Sequence, residues 1–264
     1  MRILFLGDVV GKPGLNLIRA HLPRIRTQHG IDCVIVNAEN VSGGSGCQPA
    51  AYRQLRQAGV DLVTLGDHVY KKAEIIGLLR EDERICRPAN MPPLAPGRTV
   101  AVATFPNGVT VAAICVLGRT FMRPANCPFM ACDAAIHEAK TRAQIIIIDA
   151  HCEATADKYL LLHHLKGQVA AILGTHTHVP TADEQLSAEG TAFQCDVGMC
   201  GPHNGILGRD ANRVLHHAIT AIPTPFDVAE GDVRLNGALV DCDPATGKAT
   251  RIERFMFQEP IATA

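Results

Sequence analysis

Short apolar runs alternate with helix-like patterns through the first third of the chain. Runs of apolar and β-branched residues between polar segments are typical of strands that are buried on both faces. The predicted strands are Ile3–Leu6, Cys33–Val36 and Leu62–Leu65. The predicted helices run from near Pro13 to about His29, over Ala50–Gln57 and over Lys71–Arg80. This β-α-β-α-β order predicts a parallel sheet that is covered by helices.

The pattern changes in the middle of the chain, where antiparallel pairs enter. In residues 99–118, two apolar runs flank Pro106-Asn107-Gly108, which is a hairpin signal. A second hairpin is predicted where Val233–Val240 and Thr250–Phe257 flank the turn sequence DCDPATGK. Between the hairpins lie predicted strands at Ile145–Ile148 and Val169–Leu173, and predicted helices at Ala131–Arg142 and Ala154–Lys166. Two sheets with helices outside fit this order, and we expect residues 1–264 to form a single α/β domain.

The composition limits the possible functions. The chain has 264 residues, of which 47% are hydrophobic, and a formal net charge of −1. These values exclude a disordered chain and argue against an extended nucleic-acid surface. An anionic substrate would have to be held by a local site, where metal ions could supply positive charge. Because no apolar run suits a signal peptide or a membrane span, we expect a cytoplasmic protein without membrane contact. A homo-oligomer remains open.

Ten cysteines could form a disulfide framework, but their spacing contains no C-x-x-C pair. Cys33 and Cys115 lie inside apolar runs, which is typical of reduced cysteines that serve as small hydrophobic residues. The pairs Cys127/Cys132 and Cys195/Cys200 are only weak evidence for zinc, because no second close pair of ligands accompanies them. We therefore expect unpaired cysteines.

Polar side chains follow five of the predicted strands. Ligands of open α/β sheets bind beyond the carboxyl ends of the strands, so these side chains are candidates for one site. They are Asp8, Glu39 with Asn40, Asp67 with His68, His151, and His176 with His178. Each has an ordinary explanation by itself, such as a helix cap for Asp8 or a turn for Asn40. A single shared site explains all five better than five coincidences do.

The segment GTHTHVP (174–180) places two of these histidines one residue apart, directly after a predicted strand. Successive residues of an extended chain point to opposite faces, so His176 and His178 are expected on the same side. The alternative for an isolated pair of this kind is a solvated turn that happens to contain histidine. The other four strand ends favour a ligand site.

Seven of these residues are candidate metal ligands, namely Asp8, Glu39, Asn40, Asp67, His151, His176 and His178. Oxygen and nitrogen ligands without thiolate suit iron, manganese or zinc, and seven ligands are too many for one ion. We favour iron or manganese and keep zinc as an alternative. Two ions that share a carboxylate, about 3.5–4 Å apart, would clamp the attacking and leaving oxygens of phosphoryl transfer. His176 and His178 would each serve a different ion.

Seven motifs, in this order, resemble those of the YmdB family of calcineurin-like metallophosphoesterases. They are GDVVGKPG (7–14), NAEN (37–40), GDHVY (66–70), RPAN (87–90), HCEAT (151–155), GTHTHVPTADE (174–184) and DVGMCGP (196–202). The match runs from residue 1 to about residue 257, and the combination of NAEN with the last two motifs is highly specific. The resemblance implies a four-layer α/β/β/α sandwich with two mixed sheets. It also implies a phosphodiesterase that acts on 2′,3′-cyclic nucleotides, or on the cyclic phosphate end of a short RNA.

The resemblance further implies roles for single residues. The first ion would be held by Asp8, Glu39, Asn40 and His178. The second ion would be held by Glu39 as the bridge, Asp67, His151 and His176. His68 would be the catalytic residue that stabilises the phosphate or protonates the leaving oxygen. A water between two cations is acidified, and the resulting bridging hydroxide would attack phosphorus in line.

Some positions depart from the family. Its third motif reads G-N-H, with an aromatic residue, usually Trp, two positions later, whereas this chain has Asp67 and Tyr70. The D-x-H motif of the broader superfamily is absent after Asp8, and Asn40 would fill that place. Asp67 adds negative charge at the second ion, with the alternative that it caps the helix after Val69.

Two other functions stay open from the sequence. A phosphomonoesterase or nucleotidase would use the same ions beside a pocket for a dianion. A regulatory protein would bind a nucleotide or a partner at the ions with little turnover. The presence of His68 favours catalysis, because a pure binding site has no need of a proton donor beside the metals.

Overall fold

The computed structural model describes residues 1–259 of the chain. The strands are β1 (Arg2–Leu6), β2 (Asp8–Val9), β3 (Cys33–Asn37), β4 (Leu62–Thr64), β5 (Ile85–Cys86), β6 (Ala101–Thr104), β7 (Thr110–Leu117), β8 (Ile145–His151), β9 (Ala171–Thr175), β10 (Gln185–Leu186), β11 (Ala192–Gln194), β12 (Met199–Pro202), β13 (Val233–Asp243) and β14 (Lys248–Gln258). The helices are α1 (Gly11–His29), α2 (Pro49–Gln57), α3 (Ile75–Glu81), α4 (Pro128–Lys140), α5 (Thr155–Leu165) and α6 (Ala211–Thr220). The predicted domain of residues 1–264 also includes residues 260–264, which lie outside the described part.

The strands form two mixed sheets. The first sheet has the order β2-β12-β13-β1-β3-β4-β5, with β14 paired to β13. In it β1, β3, β4 and β5 are parallel, while β13 is antiparallel to β1. The second sheet has the order β10-β11-β9-β8-β7-β6, in which β6 and β10 are antiparallel to their neighbours. Both predicted hairpins are therefore present, with β6 and β14 as edge strands of the second and the first sheet.

Three hydrophobic cores separate four layers. Alternate residues of β1 face different cores: Leu4 and Leu6 pack toward α1, α2 and α3, whereas Ile3 and Phe5 face the second sheet. The four isoleucines 145–148 of β8 divide in the same way between the core that joins the two sheets and the core under α4 and α5. This alternation follows from the period of two along a strand. The predicted α/β/β/α sandwich is confirmed.

Several predicted boundaries differ from the observed ones. The first helix begins at Gly11, two residues before Pro13. The helix predicted over Lys71–Arg80 begins only at Ile75, because tight turns closed by backbone hydrogen bonds occupy the preceding segment, such as Lys71 N–H to His68 O at 2.9 Å. Helix α6 was not predicted, and it buries no residue, so its apolar side chains do not contribute to the cores.

The cysteines agree with the sequence analysis. All ten are free, and nine of them are buried, with Cys127 half-buried. Burial raises the pKa of several of these thiols, including that of Cys47 to about 12, which keeps them as small hydrophobic residues. In the described part of the chain, no helix combines the length and the apolar character needed to cross a membrane.

Candidate metal centre

The carboxyl ends of strands from both sheets meet at one edge of the sandwich. The first sheet supplies Asp8 after β1, Glu39 and Asn40 after β3, and Asp67 and His68 after β4. The second sheet supplies His151 at the end of β8, and His176 and His178 after β9. The contacts described below connect all eight residues. Parallel strands bring their ends to one edge, so the chain order of the sequence becomes a cluster in space.

Four of the eight residues form a tight cluster, which we call the Asp67 group: Glu39, Asp67, His151 and His176. One ligand atom from each lies within 4.8 Å of all the others. His151 Nε2 lies 3.3 Å from Glu39 Oε2, 3.3 Å from Asp67 Oδ1 and 3.0 Å from His176 Nδ1. The group matches the set that the sequence analysis assigned to the second ion. Two carboxylates and two imidazoles are a donor set suited to a divalent transition metal.

The electrostatics of the Asp67 group also fit a cation. Burial by itself would raise the pKa of Glu39, but His151 and His68 lower it well below its usual range. Burial would lower the pKa of His151, yet the Glu39 carboxylate and then Asp67 raise it well above its usual range. The negative charge of the carboxylates thus favours positive charge at the centre of the group. A metal ion would supply that charge without a proton.

The remaining three ligand candidates, Asp8, Asn40 and His178, form what we call the Asp8 group. Asn40 Nδ2 donates to His178 Nε2 at 3.3 Å, and Asp8 Oδ2 accepts from the backbone N–H of His176 at 3.0 Å. The second carboxylate oxygen of Asp8 is fully buried and has no hydrogen-bond partner within residues 1–259. Burial raises the pKa of Asp8 to about 6. An unpaired buried carboxylate oxygen is costly, and a bound cation would satisfy it.

Two further observations fit an ion at this edge. His178 Nδ1 donates to Leu207 O at 3.0 Å, which leaves Nε2 as the ring nitrogen that carries a lone pair. Gly66 precedes Asp67, and a Cβ atom at this position would overlap Glu39 Oε2 and His151 Nε2. Only glycine therefore lets the backbone pass so close to the ligand atoms. The residues present fit a metal centre.

His68 lies between the two groups. Its Nδ1 donates to Asn40 Oδ1 at 2.7 Å and lies 3.4 Å from Glu39 Oε1. Hydrogen bonding to Glu39 raises the pKa of His68, against the effect of burial. The other ring nitrogen, Nε2, lies 3.9 Å from Asp67 Oδ2. The side chain is 30% exposed, so a substrate at the centre can reach it.

A buried carboxylate that the sequence analysis missed lies behind the Asp67 group. Asp149 accepts hydrogen bonds from the hydroxyls of Thr175 and Thr64, both at 2.6 Å, and from Asn37 Nδ2 at 2.9 Å. Thr175 in turn accepts from His151 Nδ1 at 2.8 Å. This chain of hydrogen bonds fixes the tautomer of His151 so that Nε2 faces the cluster. The position of Asp149 could have been predicted from the sequence, because side chains two residues apart in a strand project from the same face, and Asp149 lies two residues before His151.

The segment between the two neighbouring histidines is a turn rather than an extended strand. His176 and His178 have φ angles of 91° and 67°, so the prediction that both project from one face of a strand is wrong. The backbone N–H and hydroxyl of Thr177 both donate to Asp196 Oδ2, at 3.2 and 2.8 Å. Asp196 is paired with buried Lys158 at 2.8 Å. The left-handed backbone conformations of His176 and His178 cost about 1–3 kcal/mol each, and the hydrogen bonds to Asp196 stabilise the turn against this cost.

The turn sends the two histidines to different groups. His176 Nδ1 faces His151 in the Asp67 group, and its Nε2 lies 3.3 Å from Glu153 Oε2. His178 faces Asn40 in the Asp8 group. The anchor, Asp196, is the first residue of the motif DVGMCGP, which the sequence analysis quoted without giving that aspartate a role.

Asp67 contacts the cluster and not a helix terminus. Its carboxylate oxygens lie near His151, His176 and His68, at 3.3 to 3.9 Å. Helix α3 begins at Ile75 with Glu74 at its N-cap position. The geometry therefore does not support a capping role for Asp67. Tyr70, three residues after Asp67, donates its hydroxyl to Pro96 O at 2.6 Å.

Comparisons with known proteins agree with this geometry. The family model of YmdB-like proteins matches residues 4–255. The chain is 40% identical over 259 residues to the 2′,3′-cyclic-nucleotide 2′-phosphodiesterase of Bacillus subtilis (strain 168), and the match covers 98% of each protein. The resemblance that the motifs indicated is confirmed.

Two solved structures share the fold over nearly the whole chain. A crystal structure of a hypothetical protein from Thermus thermophilus has a TM-score of 0.92 and 40% identity, covering 98% of this chain and 100% of that chain. A crystal structure of a novel phosphatase from Mycoplasma pneumoniae has a TM-score of 0.90 and 30% identity, covering 98% and 93%. The predicted metallophosphoesterase-like fold is confirmed.

Proposed function

The chain belongs to the YmdB-like family, and from this premise we propose that it is a phosphodiesterase that hydrolyses 2′,3′-cyclic nucleotides with two metal ions. The observation that carries the proposal is the cluster of Glu39, Asp67, His151 and His176, with His68 beside it. The name of the Bacillus subtilis relative supports the substrate class. A cyclic nucleotide, or the cyclic phosphate end of a short RNA, is the substrate that this proposal assigns to the centre.

The ligand assignment follows the two groups. One ion would be held by Asp8, Glu39, Asn40 and His178, and the other by Glu39, Asp67, His151 and His176. Glu39 is the bridge in this assignment, since its two carboxylate oxygens face different neighbours. Oε1 accepts from Asn40 Nδ2 at 2.9 Å, and Oε2 lies 3.3 Å from His151 Nε2. The mixture of carboxylate, amide and imidazole favours iron or manganese, with zinc as the alternative.

The roles of the chain's own residues follow from the geometry. Two bound cations would lower the pKa of a water molecule toward about 7 and would neutralise charge on the phosphate oxygens. His68 Nε2 is the ring nitrogen that is not bonded to Asn40, so it is the one available to protonate the ribose oxygen when the cyclic diester opens. Asp149 and Thr175 keep His151 oriented, and Asp196 keeps the turn at Thr177 in place.

The test compares substrates and metal content on one preparation. Purified protein from metal-supplemented expression is assayed with 2′,3′-cAMP, 3′,5′-cAMP and p-nitrophenyl phosphate, before and after treatment with EDTA and readdition of Mn²⁺. We expect close to two ions per chain by elemental analysis and the highest kcat/KM with 2′,3′-cAMP. Faster turnover of p-nitrophenyl phosphate would favour a phosphomonoesterase. Nucleotide binding without turnover in the metal-loaded protein would favour a regulatory role.

A further inference from the structure

A cavity of about 370 Å³ opens beside the metal centre. Asp67 lines it at the end nearest the cluster, and Tyr70, Met91 and Leu117 supply apolar walls. The Tyr70 ring is fixed at its far end, because the hydroxyl donates to Pro96 O at 2.6 Å. Small-molecule sites are mostly apolar concave surfaces with a few polar groups at fixed positions, and this cavity has that character. Its size and its walls suit a nucleoside.

Two cationic side chains, Lys71 and Arg123, also line this cavity. Neither side chain forms a hydrogen bond or an ion pair with any group in residues 1–259. The buried Arg87 differs, since its guanidinium donates to the carbonyl oxygens of Ala95 and Pro88 at 3.1 and 2.7 Å. Arg87 thus has a structural role in its loop, whereas the charges of Lys71 and Arg123 remain available to a ligand.

Two exposed apolar side chains lie close in sequence to residues that line the cavity. Phe121 is 89% exposed two residues before Arg123, and Leu94 is 97% exposed in the loop after Met91. Exposed aromatic side chains next to cationic ones are typical of surfaces that bind single-stranded nucleic acid, where bases stack and phosphates pair with arginine. Here the cationic side chains line a cavity of nucleoside size, which limits the contact to one or two nucleotides.

We propose that this cavity binds the nucleoside of the substrate, and that Arg123 together with Lys71 binds a second phosphate on its 5′ side. The preferred substrate class is then a nucleotide or a short RNA that carries a phosphate 5′ to the terminal 2′,3′-cyclic phosphate. The inference rests on the proposed function, which puts the cyclic phosphate at the metal centre. The 5′ carbon extends from the other side of the ribose, so a phosphate there lies away from the ions and needs cations of its own. Arginine is suited to this because its planar guanidinium can donate two parallel hydrogen bonds to one phosphate.

The kinetic test uses the metal-loaded enzyme and three substrates that differ only on the 5′ side. They are adenosine 2′,3′-cyclic phosphate, the same compound with a 5′-phosphate, and the dinucleotide ApA with a terminal cyclic phosphate. We expect kcat/KM to be about tenfold higher for the two substrates with a second phosphate, the usual effect of a hydrogen bond to a charged group. A preference for the dinucleotide over the 5′-monophosphate would identify RNA ends as the source of that phosphate, and the reverse would identify mononucleotides.

Variants assign the effect to Arg123. The ratio of kcat/KM with the 5′-phosphate to kcat/KM without it should fall about tenfold in Arg123→Ala. It should fall only partly in Arg123→Lys, because lysine keeps the positive charge but cannot donate two parallel hydrogen bonds to one phosphate. Arg119→Ala removes the same charge from the same loop at an exposed position that does not line the cavity, so it should leave the ratio unchanged. An equal ratio in the wild type and in Arg123→Ala would overturn the inference.

A binding measurement separates this inference from the proposed function. By calorimetry, adenosine 3′,5′-bisphosphate should bind the metal-loaded wild type about tenfold more tightly than adenosine 3′-phosphate, and Arg123→Ala should abolish the difference. If the protein hydrolyses no cyclic phosphate but shows this difference, the proposed function is wrong and the phosphate site stands. If it hydrolyses cyclic phosphates but shows no difference, the phosphate site is wrong and the proposed function stands.

Discussion

The two halves of the metal centre are built differently. In the Asp67 group, four ligand atoms lie within 4.8 Å of one another. In the Asp8 group, the only hydrogen bond between ligand side chains within residues 1–259 is that of Asn40 with His178, and one buried oxygen of Asp8 has no hydrogen-bond partner there. The protein alone arranges the first half. The second half contains the buried carboxylate of Asp8, whose negative charge a bound cation would neutralise.

The support behind the two halves differs as well. His151 is held through Thr175 by Asp149, a carboxylate that also receives hydrogen bonds from strands of the other sheet. His178 is held by one backbone carbonyl, that of Leu207 in a surface loop. Rigid, well-supported ligands lose less entropy when an ion binds. We therefore expect the ion of the Asp67 group to be retained longer during chelation, and the ion of the Asp8 group to leave first.

The largest expected effect concerns His68, which contacts both groups and is assigned to neither ion. His68→Ala should lower kcat about 10²–10⁴-fold, the usual loss for a general acid, while both ions are retained. Steady-state kinetics together with elemental analysis of the variant check this. If the variant loses an ion, His68 is a ligand and the division into two groups needs revision.

Single histidine exchanges test the division itself. His176→Ala should lower occupancy in the Asp67 group and His178→Ala in the Asp8 group, so each variant should retain about one ion of the two that are expected. After treatment with graded EDTA, the ion left in His178→Ala should be the more strongly held, because it has the better-supported ligands. Equal chelator sensitivity in the two variants would show that the halves do not differ in affinity.

The contribution of the supporting network should be smaller. Asp149→Asn places an amide N–H group among the three groups that donate hydrogen bonds to Asp149, and this should loosen the support of His151 through Thr175. The metal affinity of the Asp67 group should then fall by about tenfold or more, the usual cost of losing such a partner. Thr64→Val is the matched control, because it removes one hydrogen bond from the same carboxylate on the side away from His151. Chelator competition and thermal unfolding are measured for both. Equal metal loss in the two variants would reduce Asp149 to a stabilising role.

The smallest effect is expected from Asp67→Asn, which replaces the carboxylate with a neutral amide of nearly the same shape. The Asp67 charge is a minor contributor, after Glu39, to the raised pKa of His68. Loss of the Asp67 charge should therefore lower the pKa of His68. Catalysis needs the protonated form of His68, which is lost as pH rises through this pKa, so the basic limb of the pH–rate profile should move to lower pH. A neutral ligand would also make the ion a stronger Lewis acid, which would lower the pKa of the bound water and move the acidic limb of the profile to lower pH. The ion should be held about tenfold less tightly. An unchanged profile with unchanged metal retention would exclude Asp67 as a ligand.

Most of the fold could be predicted because its strands are buried on both faces. Runs such as Ile145–Ile148 and Cys33–Val36 are apolar throughout, and each became the centre of a strand. The short strands β2, β5, β10, β11 and β12 were missed, since two to four residues carry no recognisable period. They form through pairing with neighbours that are distant in the sequence, which local patterns do not reveal.

The convergence of the candidate residues could be predicted, but their geometry could not. All seven ligand candidates and His68 come together because parallel strands end at one edge. The turn at Thr177 could not be foreseen, because it depends on Asp196, nineteen residues later in the chain. An extended conformation of His176 and His178 is the ordinary expectation after a strand, but a buried carboxylate outside the segment determined the backbone here.

The first sheet is completed only when β13 has formed, because this strand pairs with both β12 and β1. The Asp67 group takes two ligands from this sheet and two from the other, so neither sheet contains it alone. During synthesis, a chain that has already produced every ligand still lacks the strand that connects β2 and β12 to the rest of the first sheet. Because metal affinity depends on a folded site, the centre can be loaded only after the last hairpin has been made, and metal uptake during refolding would report when the two sheets dock.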